Sequence, residues 1–208
     1  MPILTILLLI LTACLPGKNS SGITAVTQPA ATLASPQIPN CNPAPIIVPS
    51  LPSVTPRTAE LDPATGLHMT GKVQVIDLAS YRLLVTGLVE QPLSLKYDDL
   101  RCLPKVTASP ELFCPGAFSD TASWSGVPIV EVLKLARPKP EAQTISLISA
   151  DGYQIPMDLK MALDPKNFLA YELEGQPLPV LHGFPLRAVL PGTIGGEWVK
   201  WIVEINVK

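Results

Sequence analysis

His182-Gly-Phe-Pro-Leu-Arg187-Ala-Val-Leu-Pro-Gly-Thr-Ile-Gly195-Gly196-Glu-Trp-Val-Lys200-Trp is the stretch from which this chain is best read. It sets three potential cations, two of them permanent, around a Gly-rich turn. Arg offers a planar fork of donors, Lys a compact charge and His one further donor. Thr193-Ile-Gly195-Gly196 can turn tightly and aim backbone N–H groups at an anion. Upstream, Cys114 in Leu112-Phe-Cys-Pro-Gly is the thiol best placed to sit over such a cradle. Each residue also has a plainer role. His182 could cap a loop, and Arg187 could be a surface charge or pair with Glu172, Glu174 or Glu197. Lys200, between Val199 and Trp201, faces opposite to them if the segment is a strand, into a cleft or into water. Gly195 and Gly196 could form a simple turn, and Trp198 and Trp201 read as core. Asp151 and Tyr153 could line the pocket, although Asp-Gly is also a turn signal.

Working outward, the chain reads as mostly strands. Lys72–Ile76, Arg82–Thr86, Thr144–Ser149, Tyr153–Met157, Phe168–Leu173, Leu186–Leu190 and Trp198–Val207 alternate or run apolar at strand length. Shorter runs occur at Leu93–Leu95, Lys105–Thr107 and Glu111–Phe113. Val127–Ala136 is the clearest helix, with Pro128 in its first turn and Ile129, Val132, Leu133 and Leu135 on its apolar face. Lys96–Leu103 reads as a helix of two turns, and Asp158 can cap another short one. Strands do not alternate regularly with helices, so the expected class is α+β, strand-dominated.

The beginning of the chain is of another kind. Met1–Leu11 is apolar but much shorter than the roughly 20 residues of a membrane span, and Leu11-Thr-Ala-Cys14 follows it. That pattern resembles a lipobox, so residues 1–13 read as a lipoprotein signal peptide and Cys14 as a lipidated N-terminus. Of the 24 prolines, 11 precede residue 66, and Lys18 is the one charge between Leu15 and Pro56. Residues 14–65 therefore read as a disordered Pro/Ser/Thr-rich stalk, leaving 66–208 as one domain. The expected location is the cell envelope, outside the cytoplasm, on a lipid anchor. The net charge of −2 gives no footprint for nucleic acid. After Cys14, three thiols remain. Oxidising surroundings favour a Cys41–Cys102 pair with Cys114 free, while a Cys114 crosslink or an unpaired Cys41 stays open.

The block from His182 to Trp201 resembles the C-terminal signature of the sulfite oxidase-like molybdopterin-binding domain. Leu112-Phe-Cys114-Pro-Gly and Trp124-Ser-Gly-Val-Pro-Ile-Val-Glu-Val-Leu resemble that family's thiol-ligand loop and following helix. Ala150-Asp-Gly-Tyr153 and Leu169-Ala-Tyr171-Glu-Leu-Glu-Gly-Gln-Pro-Leu-Pro179 match its middle, so the resemblance runs from about Leu83 to Val207. It implies a molybdopterin (molybdenum) cofactor with Cys114 as thiolate ligand and catalytic centre. His182, Arg187, Lys200, Gly195, Gly196, Asp151 and Tyr153 would then contact the cofactor.

Two departures matter. Long members of the family carry an Arg-x-His segment before the first strands and an Arg soon after the ligand Cys; His68–Lys72 and Pro115–Asp120 show neither. A sulfite or sulfate dianion needs several fixed cations, so sulfite oxidation is not expected. No Arg-Arg precedes the apolar run, whereas molybdopterin enzymes usually use the twin-arginine route. The expected function is a membrane-tethered, extracytoplasmic molybdopterin-dependent oxidoreductase. It would perform oxygen-atom or two-electron transfer on a small-molecule substrate. With no Cys-x-x-Cys-His motif, electrons would pass through a separate redox partner such as a membrane cytochrome. The alternative is a cofactor-free module on the same scaffold, recognising a small anion or a partner protein. A Ser-His-Asp hydrolase and a multi-His metal site fit poorly, since His68 and His182 are the two histidines.

Overall fold

Period-two burial organises the first sheet. In β1 (Leu83–Gly87), Leu83 and Val85 point inward and their neighbours are half-exposed. In a computed structural model, which describes Ile38 and residues 41–208, β1 runs parallel to the last strand, β12 (Ile202–Val207). β1 is flanked on its other side by β2 (Leu93–Leu95), antiparallel. β12 pairs antiparallel with β7 (Thr144–Ser149), which pairs with β8 (Gln154–Asp158), giving the order β2-β1-β12-β7-β8.

The second sheet is more deeply buried, and its central strands are almost wholly apolar. β6 (Trp124–Pro128) is buried throughout, and β9 (Phe168–Leu173) nearly so. β6 lies between β3 (Val106–Ala108) and β9, whose partners are β10 (Gln176–Pro177) and β11 (Arg187–Val189). Gly126 allows β6 to approach β9: a Cβ there would stand 1.9 Å from the Leu169 carbonyl oxygen. A hairpin of β4 (Glu111–Cys114) and β5 (Phe118–Thr121) stands apart from both sheets. Three short helices complete the set: α1 (Tyr97–Arg101), α2 (Ile129–Ala136) and α3 (Leu159–Ala162). One continuous core draws on both sheets and on α2, whose inward face is Ile129, Val132, Leu133 and Ala136. The architecture is strand-dominated α+β, as the sequence implies.

Several local expectations change. Lys72–Ile76 forms no strand, and Pro128 precedes α2 rather than entering its first turn. The disordered stalk expected over 14–65 does not describe residues 41–65. Cys41 is disulfide-bonded to Cys102, and Arg101 Nη2 donates to the Ala44 carbonyl over 2.8 Å. Further on, Asp62 is buried. Composition hides these ties because a few specific bonds, not a broad apolar face, hold the segment down. The signal peptide over 1–13 and Cys14 lie outside the described residues. Among the described residues no helix is long and apolar enough to cross a membrane.

Candidate active site

Strand geometry puts the thiol over the cradle. In the β4–β5 hairpin, Leu112 opposes Asp120 and Cys114 opposes Phe118, so all four side chains share one face. That face forms one wall of a cleft whose other walls include His68, Trp124, His182, Arg187, Gly195 and Lys200. A parallel bridge between Phe113 and Ile194 ties the hairpin to the Gly-rich turn. Cys114, Arg187, Lys200, His182 and Gly195 are thus brought together. Asp151, Tyr153 and Gly196 line an adjoining cavity of about 270 Å³, which shares Thr70, Gly195 and Lys200 with the cleft. The cleft is tight, about 20 Å³, room for little more than a water molecule. A larger cavity of about 580 Å³, around Val48, Ile76, Tyr97 and Asp98, contains none of these groups.

Cys114 is a free, half-buried thiol. Burial raises its pKa and the Asp120 carboxylate adds to that, while Lys200 and Arg187 pull it down without prevailing. The Gly195 position must remain bare, since a Cβ there would come within 2.5 Å of Cys114 Sγ and 2.7 Å of Leu112 Cδ2.

Arg187 is 2 % exposed and has no carboxylate partner among the described ion pairs; Glu172 pairs with Lys105 instead. Its Nη1 donates to the His182 carbonyl over 3.2 Å, its guanidinium lies 4.4 Å from the Trp124 ring centre, and its Nε has no partner. Burial brings its pKa down to about 9. Trp124 Nε1, on the same cleft, is also buried without an acceptor. Lys200 Nζ donates to the Thr70 and Leu181 carbonyls, each over 3.0 Å. Burial, then repulsion from Arg187, holds its pKa well below that of an ordinary lysine. Of the two directions open to Lys200 the structure shows the cleft, but the segment is not the expected strand, and Val199, Lys200 and Trp201 are all buried. These residues precede β12, and Trp201 takes a left-handed conformation at φ 52° that breaks the strand pattern. Trp198 and Trp201 are core, as their type implies. Their indole N–H groups donate to Leu190 and Val180 carbonyls, and both also border the adjoining cavity with Asp151 and Tyr153.

His182 is 1 % exposed and faces a partner that its local sequence does not reveal. Its Nε2 lies 3.0 Å from Asp62 Oδ2 and 2.9 Å from Thr65 Oγ1. Burial, Lys200 and Arg187 together outweigh Asp62 and bring the imidazole pKa down to about 4. At neutral pH the contact is therefore a hydrogen bond from neutral imidazole to carboxylate, not an ion pair. Burial pushes the Asp62 carboxyl up, but hydrogen bonds from Ala64, His182 and Thr65 bring it below its ordinary value.

A pH prediction follows from this depressed value. Below about 6.5 the unfolded chain takes a proton on His182 that the folded chain refuses until about 4. Stability is present above 6.5 and falls as pH drops through this window, by up to about 3 kcal/mol for this residue. Urea midpoints at pH 7, 5.5 and 4.5 should fall more steeply for the wild type than for His182→Gln. Equal slopes would show that His182 keeps an ordinary pKa in the folded chain.

Two cleft residues were not among those singled out from the sequence. His68 Nδ1 lies 2.7 Å from Asp120 Oδ1, and its backbone N–H donates to Asp120 Oδ2 over 2.8 Å. The ring stacks on Phe118, with centroids 4.1 Å apart and planes 10° from parallel. The i, i+2 spacing of Phe118 and Asp120 was a usable signal for a strand face, but nothing local pairs it with His68.

Residues 70–208 match the family model described as the oxidoreductase molybdopterin binding domain. A protein of Azospira oryzae, provisionally named as the protein-methionine-sulfoxide reductase subunit YedZ1, is 32 % identical over 145 residues; the match covers 70 % of this chain and 55 % of that protein. Sulfite oxidase of Arabidopsis thaliana is 34 % identical, over 66 % of this chain and 44 % of the relative. NADH nitrate reductase of Ulva prolifera is also 34 % identical, over 66 % and 20 % respectively. This chain thus spans between a fifth and about half the length of these relatives. The crystal structure of the sulfane dehydrogenase SoxCD from Paracoccus pantotrophus superposes with a TM-score of 0.60 at 27 % identity, covering 63 % of this chain and 39 % of that one.

Proposed function

We propose, because this chain belongs to the oxidoreductase molybdopterin binding domain family, that it is a molybdopterin-dependent oxidoreductase centred on Cys114. One observation carries the reading. A free thiol shares a cleft with two buried cations that lack carboxylate partners and with two buried N–H donors, Arg187 Nε and Trp124 Nε1, that lack acceptors. Buried charges and donors cost stability unless matched. An anionic group entering beside Cys114 is what would match them.

Cys114 would hold the metal through sulfur, and soft thiolate ligation suits molybdenum on its dithiolene-bearing pterin. Arg187, Lys200 and the backbone of Gly195 and Gly196 would hold the anionic portion. His182 would serve mainly by fixing the wall, since Nε2 is engaged with Asp62 and Thr65. Asp151 and Tyr153 border the cavity that suits the bulky organic part. Among the described residues no group of three His, Cys, Asp or Glu could hold a metal ion, so most ligands must come from the cofactor. When bound, the cofactor supplies a metal able to exchange an oxygen atom and two electrons with a small molecule. Before loading, Sγ keeps its proton, because burial and Asp120 outweigh the two cations. The neutral ring of His182 leaves Arg187 and Lys200 as the cradle's charges. Asp120 at the cleft favours a neutral substrate over a dianion.

The apolar run ending at Cys14 supports a lipid-anchored, extracytoplasmic location. A relative named as a reductase subunit supports a separate redox partner. The full chain, made in a host that synthesises molybdenum cofactor, should carry close to one molybdenum and one pterin per chain. Metal analysis and pterin fluorescence would measure both. Absence of both would leave a cofactor-free, anion-binding module.

A further inference from the structure

We propose that His68, oriented by Asp120, is the proton-exchanging residue of the Cys114 cleft. This rests on the oxidoreductase reading above. The carboxylate of Asp120 takes both the ring nitrogen Nδ1 and the backbone N–H of His68, one on each oxygen. The Phe118 ring fixes the remaining rotation by stacking. An imidazole so held keeps Nδ1–H on the carboxylate and leaves Nε2 for exchange. The side chain of Asp120 is 7 % exposed and that of His68 is 24 % exposed, so the orienting group is sealed in while the imidazole reaches solvent. The other titratable groups of the cleft are worse placed. Arg187 and Lys200 are buried and bonded to carbonyls, His182 is bonded to Asp62, and Cys114 is the thiol that would carry the metal.

The reaction needs such a group. Removing one oxygen atom from a substrate as water breaks the substrate's bond to oxygen and forms two O–H bonds. It consumes two electrons, from a separate electron-carrying protein, and two protons. His68 in its protonated form gives one proton from Nε2 as one O–H bond forms, and regains it from solvent. In the opposite direction the same atoms and electrons move in reverse, and Nε2 accepts.

The test uses the full chain loaded with cofactor and reduced by methyl viologen radical in a stopped-flow instrument. His68→Ala should be reduced about a hundredfold more slowly than the wild type at equal molybdenum content, and added imidazole should restore much of the rate. Asp120→Asn should lie between them. A wild-type rate in His68→Ala, or a slow rate that imidazole does not lift, overturns the proposal. Loss of molybdenum from His68→Ala overturns it too, by making His68 a holding residue. A wild-type chain without molybdenum removes the underlying reading as well, and is distinguished by that. A second readout needs no cofactor: ¹H–¹⁵N spectra of the full chain should place the neutral-ring proton on Nδ1 of His68, a preference lost in Asp120→Asn. A proton on Nε2 in the wild type overturns the orientation.

Discussion

Cys114→Ser, made in a host that supplies the cofactor, will hold at most about a tenth of the molybdenum of the wild-type chain, a loss at least as large as the roughly tenfold one that a change one shell further out can cause. The serine hydroxyl is a hard donor that keeps its proton at neutral pH, whereas a thiol yields a soft thiolate to a coordinated metal. The cations that remain, Arg187 and Lys200, can hold an anion but cannot replace a covalent ligand. The fold should hardly notice. Cys114 ends β4, is half-buried and has no disulfide, so the variant should melt within a few degrees of the wild type, as a change of under about 1 kcal/mol implies. Iodoacetamide labelling followed by peptide mass analysis gives an independent check. Cys114 of the unloaded wild type should be alkylated, and Cys114 of the loaded protein should be protected. A serine variant that retains its molybdenum would remove the thiol from the metal's ligands.

The part of the site that the sequence displays is the part written in one run. From His182 to Lys200 the cations and glycines are close in the chain, and the fold needs only β11 and one turn to bring them together. Cys114 was legible because arithmetic left one thiol over, and the disulfide Cys41–Cys102 accounts for the other two. What lay hidden depends on long-range pairing. Asp62 meets His182 across 120 residues and His68 meets Asp120 across 52, and neither partner carries a local pattern that names the other. Lys200 lines the cleft without the strand expected around it. The two-residue period was extended into a segment where Trp201 breaks it, so a residue given a choice between cleft and water is buried along with both its neighbours. The strand expected at Lys72–Ile76 failed similarly, since alternation shows which faces are buried but not whether a neighbouring edge is available for pairing.

Arg187→Met should separate folding from function most sharply, making the cofactor-free chain more stable by about 1–3 kcal/mol while nearly abolishing cofactor retention. The wild-type guanidinium is buried with no carboxylate partner and one unmatched N–H, and its pKa is brought down to about 9 by that burial. It also weakens its neighbours, since its charge lowers the pKa of both Lys200 and His182. A methionine fills similar space against Trp124 and Trp198 without needing an acceptor. The wild type gains this cost back only when an anion arrives, because a ligand that binds the folded state stabilises it in proportion to occupancy. Urea midpoints should therefore rank the variant above the wild type without cofactor and below it when both are prepared in a cofactor-supplying host. Molybdenum content should fall in parallel. The cation–π contact at 4.4 Å from the Trp124 ring works against the prediction, but such contacts contribute about 2 kcal/mol when desolvated, less than the several kcal/mol that a poorly paired buried ion costs. A variant that is less stable without cofactor, yet fully loaded, would make Arg187 a support of the β9–β11 packing and not part of the cradle.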